Sequence, residues 1–406
     1  MAQAPERVTP RSDGAVECAA VDFDLSRDQE ALREAAGTLL DRYAGHDALR
    51  ARVGDGVIVG TLAGTDAGTG TQSAGSAPRG YDRSAWSAMA DQGWLALETP
   101  EDEGGLGLGL VEVAVLCEQI GRHLVAAPFL PSMLALGALS QPAARTSDAT
   151  AAWRDTLVEG TAVGCAAFAP VAGQLSASGS GRAVTLRGRV GPTVFAPSAD
   201  VAVIATTEDV YAVDLAVAGR PDPLPAMDRT RELGALEFDG TPALHIGGPA
   251  EAALLLDRAA TALSAEMLGA ADYVLGLTVG YAKDRVQFGK PIGSFQAVKH
   301  MLADALVDVE GMRSTAYYAA WCTAADDRER SLAASMAKAW CSDASRRVMA
   351  AGLQVHGGIG FTWEHDMHLF VKRSQLDQVS FGDGAYHRDR IATLLRTRLA
   401  SGQGIA

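Results

Sequence analysis

Three textures of hydrophobic and polar positions succeed one another along the 406-residue chain. In "FDLSRDQEALREAAGTLLDRY" apolar residues recur three and four apart, which predicts a helix with Ser26 as its N-cap. The same period returns in "DRSAWSAMADQGWLAL" and "VEVAVLCEQIGRHL", on either side of the Pro- and Gly-rich turn "TPEDEGGLGLGL", and this helical block ends near residue 158. Residues 54–80, rich in Gly, Thr and Ser and without a period, are expected to form a mobile loop or insertion. From "AVGCAAFAP" to "ALEFDGTPALHI" the pattern shortens to alternating or β-branched strings, among them "AVTLRGRV", "VAVIATT" and "VYAVDLA". Gly, Pro and Asp punctuate them, which predicts an antiparallel sheet. Helical periodicity then resumes over 251–284, 294–325 and 328–355 with few breakers. The expected fold class is α+β, with an N-terminal helical domain over 1–158, a middle antiparallel β domain over 159–248 and a C-terminal helical bundle over 249–406.

Composition narrows the function more than the fold. The 48% hydrophobic content is carried mainly by Ala, Val and Leu, and no uninterrupted apolar run reaches the roughly 18 residues of a membrane span, so no transmembrane helix is expected. The first residues, "MAQAPERVTPRSDGA", lack the basic-then-apolar order of a signal peptide, which makes the cytoplasm the expected compartment. Five cysteines, Cys18, Cys117, Cys165, Cys322 and Cys341, are spread widely with no CxxC pair, and are expected to be reduced and structural rather than bridged or metal-bound. A formal charge of −14 without a dense Lys/Arg cluster argues against a nucleic-acid partner.

Two strings near the C-terminus carry the candidate chemistry. Residues 281–304 read "YAKDRVQFGKPIGSFQAVKHMLAD", a hinge between predicted helices that sets Arg285, Gln287, Phe288 and Gln296 beside turn-forming glycines. Residues 354–373 read "QVHGGIGFTWEHDMHLFVKR", in which Gly357, Gly358 and Gly360 bare backbone amides close to a helix end, a setting that can approach a phosphate. Both strings also admit a plain reading. Arg285 then complements the dipole of its own helix C-terminus, Phe288 and Phe295 pack, the glycines cap a helix, and His300 and His356 are hydrogen-bonded helix residues.

Together with "GWLALETPEDEGGLGLGLVEVAVLCEQIGR" in the first domain, and in this order around a β region, these strings resemble the acyl-CoA dehydrogenase family over nearly the whole chain. The resemblance implies a C-terminal four-helix bundle, FAD as cofactor, and α,β-dehydrogenation of an acyl-CoA thioester to a 2-enoyl-CoA, with an electron-transfer flavoprotein or similar acceptor. It places Arg285 on the FAD pyrophosphate, Gln287 and Phe288 on the adenine or ribose side, and Gln296 along the same ligand. Gln354, Gly357, Gly358 and Gly360 would meet the flavin of a neighbouring subunit. A homo- or hetero-oligomer, dimer or tetramer, is thereby implied, with the Arg285 group of one chain facing the Gln354 group of another.

Two departures from the family pattern bear on catalysis. Where members usually carry Thr-Glu-x-x-x-Gly-Ser-Asp, this chain reads "FAPVAGQLSASGSG", and the turn that usually bears the catalytic glutamate reads "FGDG", with Gly382 in its place. An alternative family position, about 26 residues before Arg285, holds Ala259. The candidate base is Glu266, seven residues further along the same helix face and about 10 Å along the axis; the plain alternative is that it pairs with an arginine or caps a neighbouring helix. Its apolar neighbours suit a carboxylate kept from water. Asp383, one residue beyond Gly382, is the competing candidate. The strings "AEMLGAA", "RVQFGKPIGSFQAVKH" and "FGDGAYHRDR" also resemble paired subunits of bacterial members with steroid or other bulky substrates, and the small residues of "SAEMLGAADYVLG" are expected to wall a roomy acyl cavity. Two alternatives stand beside an active dehydrogenase: a non-catalytic partner subunit that completes a shared flavin site, and a flavin oxidase or monooxygenase on the same fold.

Overall fold

The computed structural model describes residues 25–43, 45–53, 80–145, 147–170, 174–179 and 181–402. Most of the Gly/Thr/Ser-rich stretch expected to be a loop, residues 54–79, lies outside them.

Helix α1 (Arg27–Leu40) starts as its sequence predicts. Ser26 Oγ accepts the Gln29 amide while the Gln29 side chain accepts the Ser26 amide, a reciprocal cap that satisfies two otherwise orphaned N–H groups. Next come α2 (His46–Val53), α3 (Arg83–Asp91), α4 (Leu110–Arg122), α5 (Phe129–Leu139) and α6 (Asp148–Val158). Helix α5 is apolar on nearly every side because it is covered on every side, lying between α6, the sheet and the long bundle helix.

The middle region is a six-stranded sheet of β1 (Gly164–Phe168), β2 (Leu175–Gly179), β3 (Ala183–Val194), β4 (Val201–Ala205), β5 (Val210–Asp214) and β6 (Leu233–Gly247). The strand order is β1-β4-β5-β6-β3-β2. A short helix, α7 (Leu215–Ala218), follows β5. The sheet is mixed rather than wholly antiparallel, because β1 and β4 pair in parallel, Gly164 opposite Val201 through Phe168 opposite Ala205. A parallel pair needs a long crossover, and the β2–β3 hairpin at the far edge supplies it. Strand β4, "VAVIA", is buried at every position, as a strand covered on both faces must be.

The three long periodic stretches are α8 (Pro249–Asp284), α9 (Gln296–Ala324) and α10 (Arg330–His356); α11 (Met367–Val379) and α12 (Gly384–Ala400) complete the bundle. Helix α8 is long and apolar enough to cross a membrane by length and composition, although no unbroken apolar run marks it in the sequence. Within its most apolar window 72% of residues are buried inside the protein, so its hydrophobicity is that of a core helix touching α4, α9 and α10. Where α4 crosses α8, a Cβ on Gly121 would lie 1.9 Å from the Glu266 carbonyl oxygen, and one on Gly269 would lie 1.8 Å from the Glu118 carbonyl oxygen. The two backbones therefore touch, and only glycine permits it.

Candidate active site

A cavity of about 570 Å³ opens between α5, the sheet and the turn joining α11 to α12. Its walls are apolar, with Leu134, Phe168, Val190, Leu263, Phe381 and Tyr386 among them. Gln174, from the string that departs from the family pattern, also lines it, as does Gly382. Among the described lining residues Arg231 is the sole charged one and none is a carboxylate.

Behind Arg231 lies a closed ion network. Arg373 donates from Nε to Asp228 at 2.8 Å and from Nη1 to Glu266 Oε1 at 2.7 Å, and it also bonds Thr230 Oγ1. Arg231 donates to Asp377 at 2.7 Å and to the same Glu266 Oε1. All of these side chains are buried. Three carboxylates face two guanidinium groups, and the surplus shows at Asp377. Burial raises its pKa to about 7, with Glu266 adding to the rise while Arg231 and Arg373 oppose it. Glu266 thus sits in a buried charge cluster rather than the apolar setting expected from its helix neighbours, and both arginines claim one of its oxygens. The neighbouring small residues do not wall the cavity either. Of α8 only Leu263 lines it, whereas Ala265, Gly269, Ala270 and Ala271 are buried in helix packing. Ala259 is likewise fully buried.

Asp383 is placed as the N-cap of α12, its carboxylate accepting the Tyr386 amide at 2.8 Å. The turn before it is gripped from inside the protein. Lys338 of α10 donates to the carbonyls of Gln378 and Gly382, both at 2.9 Å, and to Ser342 Oγ at 3.3 Å. His387 Nε2 stands 3.0 Å from the Phe381 carbonyl. Burial lowers Lys338 to about 8, and burial with Lys338 nearby lowers His387 to about 3, so His387 is neutral and donates through Nε2. Phe381 and Gly382 take φ of 56° and 93°, a left-handed pair that makes the turn.

Arg231, Arg373, Asp377 and Lys338 carry this geometry, and none of them stands out as a site residue in the sequence. Lys338 leaves a signal. It shares the i, i+3, i+4 stripe of Ala334, Ala337, Cys341 and Ser345, all buried, and a lysine on such a stripe needs buried partners. Arg231 leaves none, since its partners lie 35 and 146 residues away.

The hinge and glycine strings form a second surface at the far end of the bundle. Arg285 caps the C-terminus of α8, its amide bonded to the Tyr281 carbonyl at 2.8 Å, with its side chain exposed. Val286–Gln287 pairs with Lys290–Pro291 in a tight hairpin whose tip holds Phe288, 91% exposed at φ 53°, and Gly289 at φ 75°. Gln296 opens α9, and Gln354, Gly357 and Gly358 sit at or near the end of α10. Tyr281 stacks on His356 with ring centroids 4.5 Å apart. The Arg285 and Gln354 groups therefore share one end of a single chain instead of meeting only between chains. Gly360 is the exception in the string, since it is buried against His356 and Leu353. Among the described residues no group of three His, Cys, Asp or Glu is placed to hold a metal, and Cys117, Cys165, Cys322 and Cys341 are free and buried. Cys18 lies outside the described residues.

Comparison with known proteins matches the chain to the acyl-CoA dehydrogenase C-terminal domain over residues 248–395 and the acyl-CoA dehydrogenase N-terminal domain over residues 71–147. Acyl-CoA dehydrogenase IpdE2 of Mycobacterium tuberculosis is 36% identical over 348 residues, which are 86% of this chain and 91% of that one. The chain belongs to the acyl-CoA dehydrogenase family. Acyl-CoA dehydrogenase FadE27 of the same organism is 31% identical over 77% of this chain and 87% of its own. Among solved structures, the ChsE4-ChsE5 complex from Mycobacterium tuberculosis superposes with a TM-score of 0.80 at 27% identity, covering 93% of this chain and 99% of that one. A variant of the Tcur3481-Tcur3483 steroid ACAD gives the same score and identity over 92% and 99%.

Acyl-CoA dehydrogenases are FAD-dependent oxidoreductases acting on CH–CH bonds, and this chain is one of them. The surface at the end of the bundle fits such a cofactor. A Cβ on Gly289, Gly357 or Gly358 would meet nothing within 4 Å, so these backbones stand open to a ligand, beside an exposed arginine and an exposed aromatic ring.

Proposed function

We propose that this chain is one subunit of a hetero-oligomeric acyl-CoA dehydrogenase, in which it completes a flavin site shared with a partner that supplies the α-proton base. The observation that carries this reading is the cavity without a carboxylate: Glu266 is held by two arginines, Asp383 caps a helix, and Gly382 stands in the turn. The two-protein names of the ChsE4-ChsE5 and Tcur3481-Tcur3483 structures support pairing, and the second, called a steroid ACAD, supports an acyl-CoA with a large or ring-bearing acyl group.

In this reading Arg285 pairs with the FAD pyrophosphate, where a fixed, always charged fork suits a dianion. Phe288 and Gln287 cover the adenosine side, Gln296 and Gln354 add polar contacts, and the Gly357 and Gly358 amides approach the ligand directly. Bound FAD supplies the hydride acceptor for the β-carbon. Leu263, on the cavity wall, and Arg285 are 22 residues apart on α8, roughly 33 Å at 1.5 Å per residue, farther than one extended dinucleotide reaches. The Arg285 end therefore serves a flavin seated chiefly on another chain. Reduced flavin passes its electrons to an electron-transfer flavoprotein or similar acceptor in the cytoplasm.

Expression of the chain alone and together with a candidate partner dehydrogenase, followed by flavin spectra and acyl-CoA bleaching, tests the proposal. Stoichiometric FAD and bleaching are expected only in the complex, with flavin lost from the complex in Arg285→Ala. A flavin-loaded, substrate-bleachable preparation of this chain by itself would overturn it.

A further inference from the structure

Trp363, between the glycine turn and α11, is ringed by cations from three elements. Lys372 Nζ of α11 lies 4.6 Å from the ring centroid, and the guanidinium carbons of Arg50 from α2 and Arg229 from the stretch before β6 each lie 5.8 Å from it. Arg50 alone of the three has a carboxylate partner among the described residues, Asp366 at 2.9 Å. Arg229 donates to the Val53 carbonyl at 3.1 Å, and Lys372 to His368 Nδ1 at 3.1 Å. Of the nearby acids, Glu364 is exposed and Asp228 is committed to Arg373.

His368 packs edge-on against Trp363 at 4.5 Å and is only 7% exposed. Because Lys372 donates to Nδ1, the ring proton resides on Nε2, and that N–H is buried without an acceptor, as is the Nε–H of Arg50. Burial lowers the His368 pKa to about 4, with Lys372 and Arg50 adding to the effect, and burial together with Arg229 lowers that of Lys372. Three cations around one ring against the single carboxylate of Asp366, with two buried donors that have nothing to donate to, make a place short of negative charge.

We propose that this cluster binds a phosphate group, either free phosphate or a phosphate ester carried by a nucleotide or coenzyme. Arginine forks and a lysine point charge are the groups that recognise such an oxyanion, and the unpartnered His368 Nε2–H, on a ring packed against the same tryptophan, adds a directional donor. The site neighbours the ion network by one residue in each of two segments. Arg229 stands between Asp228 and Thr230, which hold Arg373, and Lys372 precedes Arg373 in α11.

Calorimetric titration of the full chain in phosphate-free buffer with inorganic phosphate, CoA and dephospho-CoA tests the proposal, in wild type, Arg229→Gln and Lys372→Gln. Saturable binding is expected for at least one phosphate carrier and at least tenfold weaker in either variant. Binding of inorganic phosphate identifies the free ion as the source, and binding of CoA but not dephospho-CoA identifies the ribose phosphate. In wild type, 15N-histidine NMR should show the His368 Nε2 resonance moving on saturation, which keeps the test open even where a variant folds poorly. No saturable binding of any of the three, binding unchanged in both variants, or an unmoved His368 resonance would overturn the assignment.

Discussion

Replacing Lys338 by methionine tests the grip on the turn that closes the cavity. The ammonium is buried with a folded pKa of about 8, against 10.5 for the free side chain. Because the folded value lies below the unfolded one, the unfolded chain binds the proton more tightly, and stability rises with pH between them. At pH 7 the charged form costs roughly 3 kcal/mol, from 2.5 units at about 1.36 kcal/mol each. By pH 9.5 about 2 kcal/mol of that has been recovered. The cysteines and tyrosines whose pKa values burial raises pull the other way above pH 9, so the wild-type slope alone is uninformative. The variant shares those groups, and the difference between the two proteins isolates Lys338. The substitution would also leave the Gln378 and Gly382 carbonyls without their donor, a pH-independent loss of about 1–3 kcal/mol each. Urea unfolding of both proteins at pH 7 and 9.5 should therefore show wild type gaining about 2 kcal/mol relative to the variant at the higher pH, whichever is the more stable at pH 7. A gap that stays constant would mean that Lys338 titrates normally and is hydrated, and that its hold on the turn is not a buried charge.

Glu266→Gln is expected to lower stability by about 3 kcal/mol, since it removes the one carboxylate that both buried arginines share, and the melting temperature should fall accordingly. Flavin reduction in the complex with its partner should persist in the fraction that folds; a normally stable variant with reduction abolished would instead restore Glu266 as the base. Gly269→Ala drives a methyl into the Glu118 carbonyl and should cost about 3 kcal/mol or more, read as a lower urea midpoint and poorer soluble yield, and an unaffected midpoint would show that the helices can part cheaply.

Periodicity makes the long helices readable, and β-branched strings make β3, β4 and β5 readable, because each reports a face that the element must bury. Strand β2, "LSASG", has no such pattern: it is an exposed edge strand held by its neighbour β3 and not by its own side chains. The parallel pairing of β1 with β4 also has no local signature, since it depends on where the chain returns after a hairpin. Phe288 and the glycines are singled out in the sequence by the family resemblance, and the structure adds that the ring is exposed and the backbones of Gly289, Gly357 and Gly358 are open. The cavity's character is not legible in the sequence, because it turns on which of several carboxylates are consumed by distant arginines. Neither Glu266 nor Asp383 can be assigned until Arg231, Arg373 and the α12 N-terminus are in place.

The contact of α4 with α8 through Gly121 and Gly269 leaves no side-chain layer between the first domain and the bundle at that point. Packed side chains can slide or change rotamer to absorb movement, but backbone against backbone offers no such compliance. Helix α4 is therefore held rigidly against α8 beside the Glu266 network. Any widening of the cavity must come from its other walls, the sheet and the turn at residues 378–383. The turn held by Lys338 and His387 is thus one of the walls whose movement would set the cavity's width.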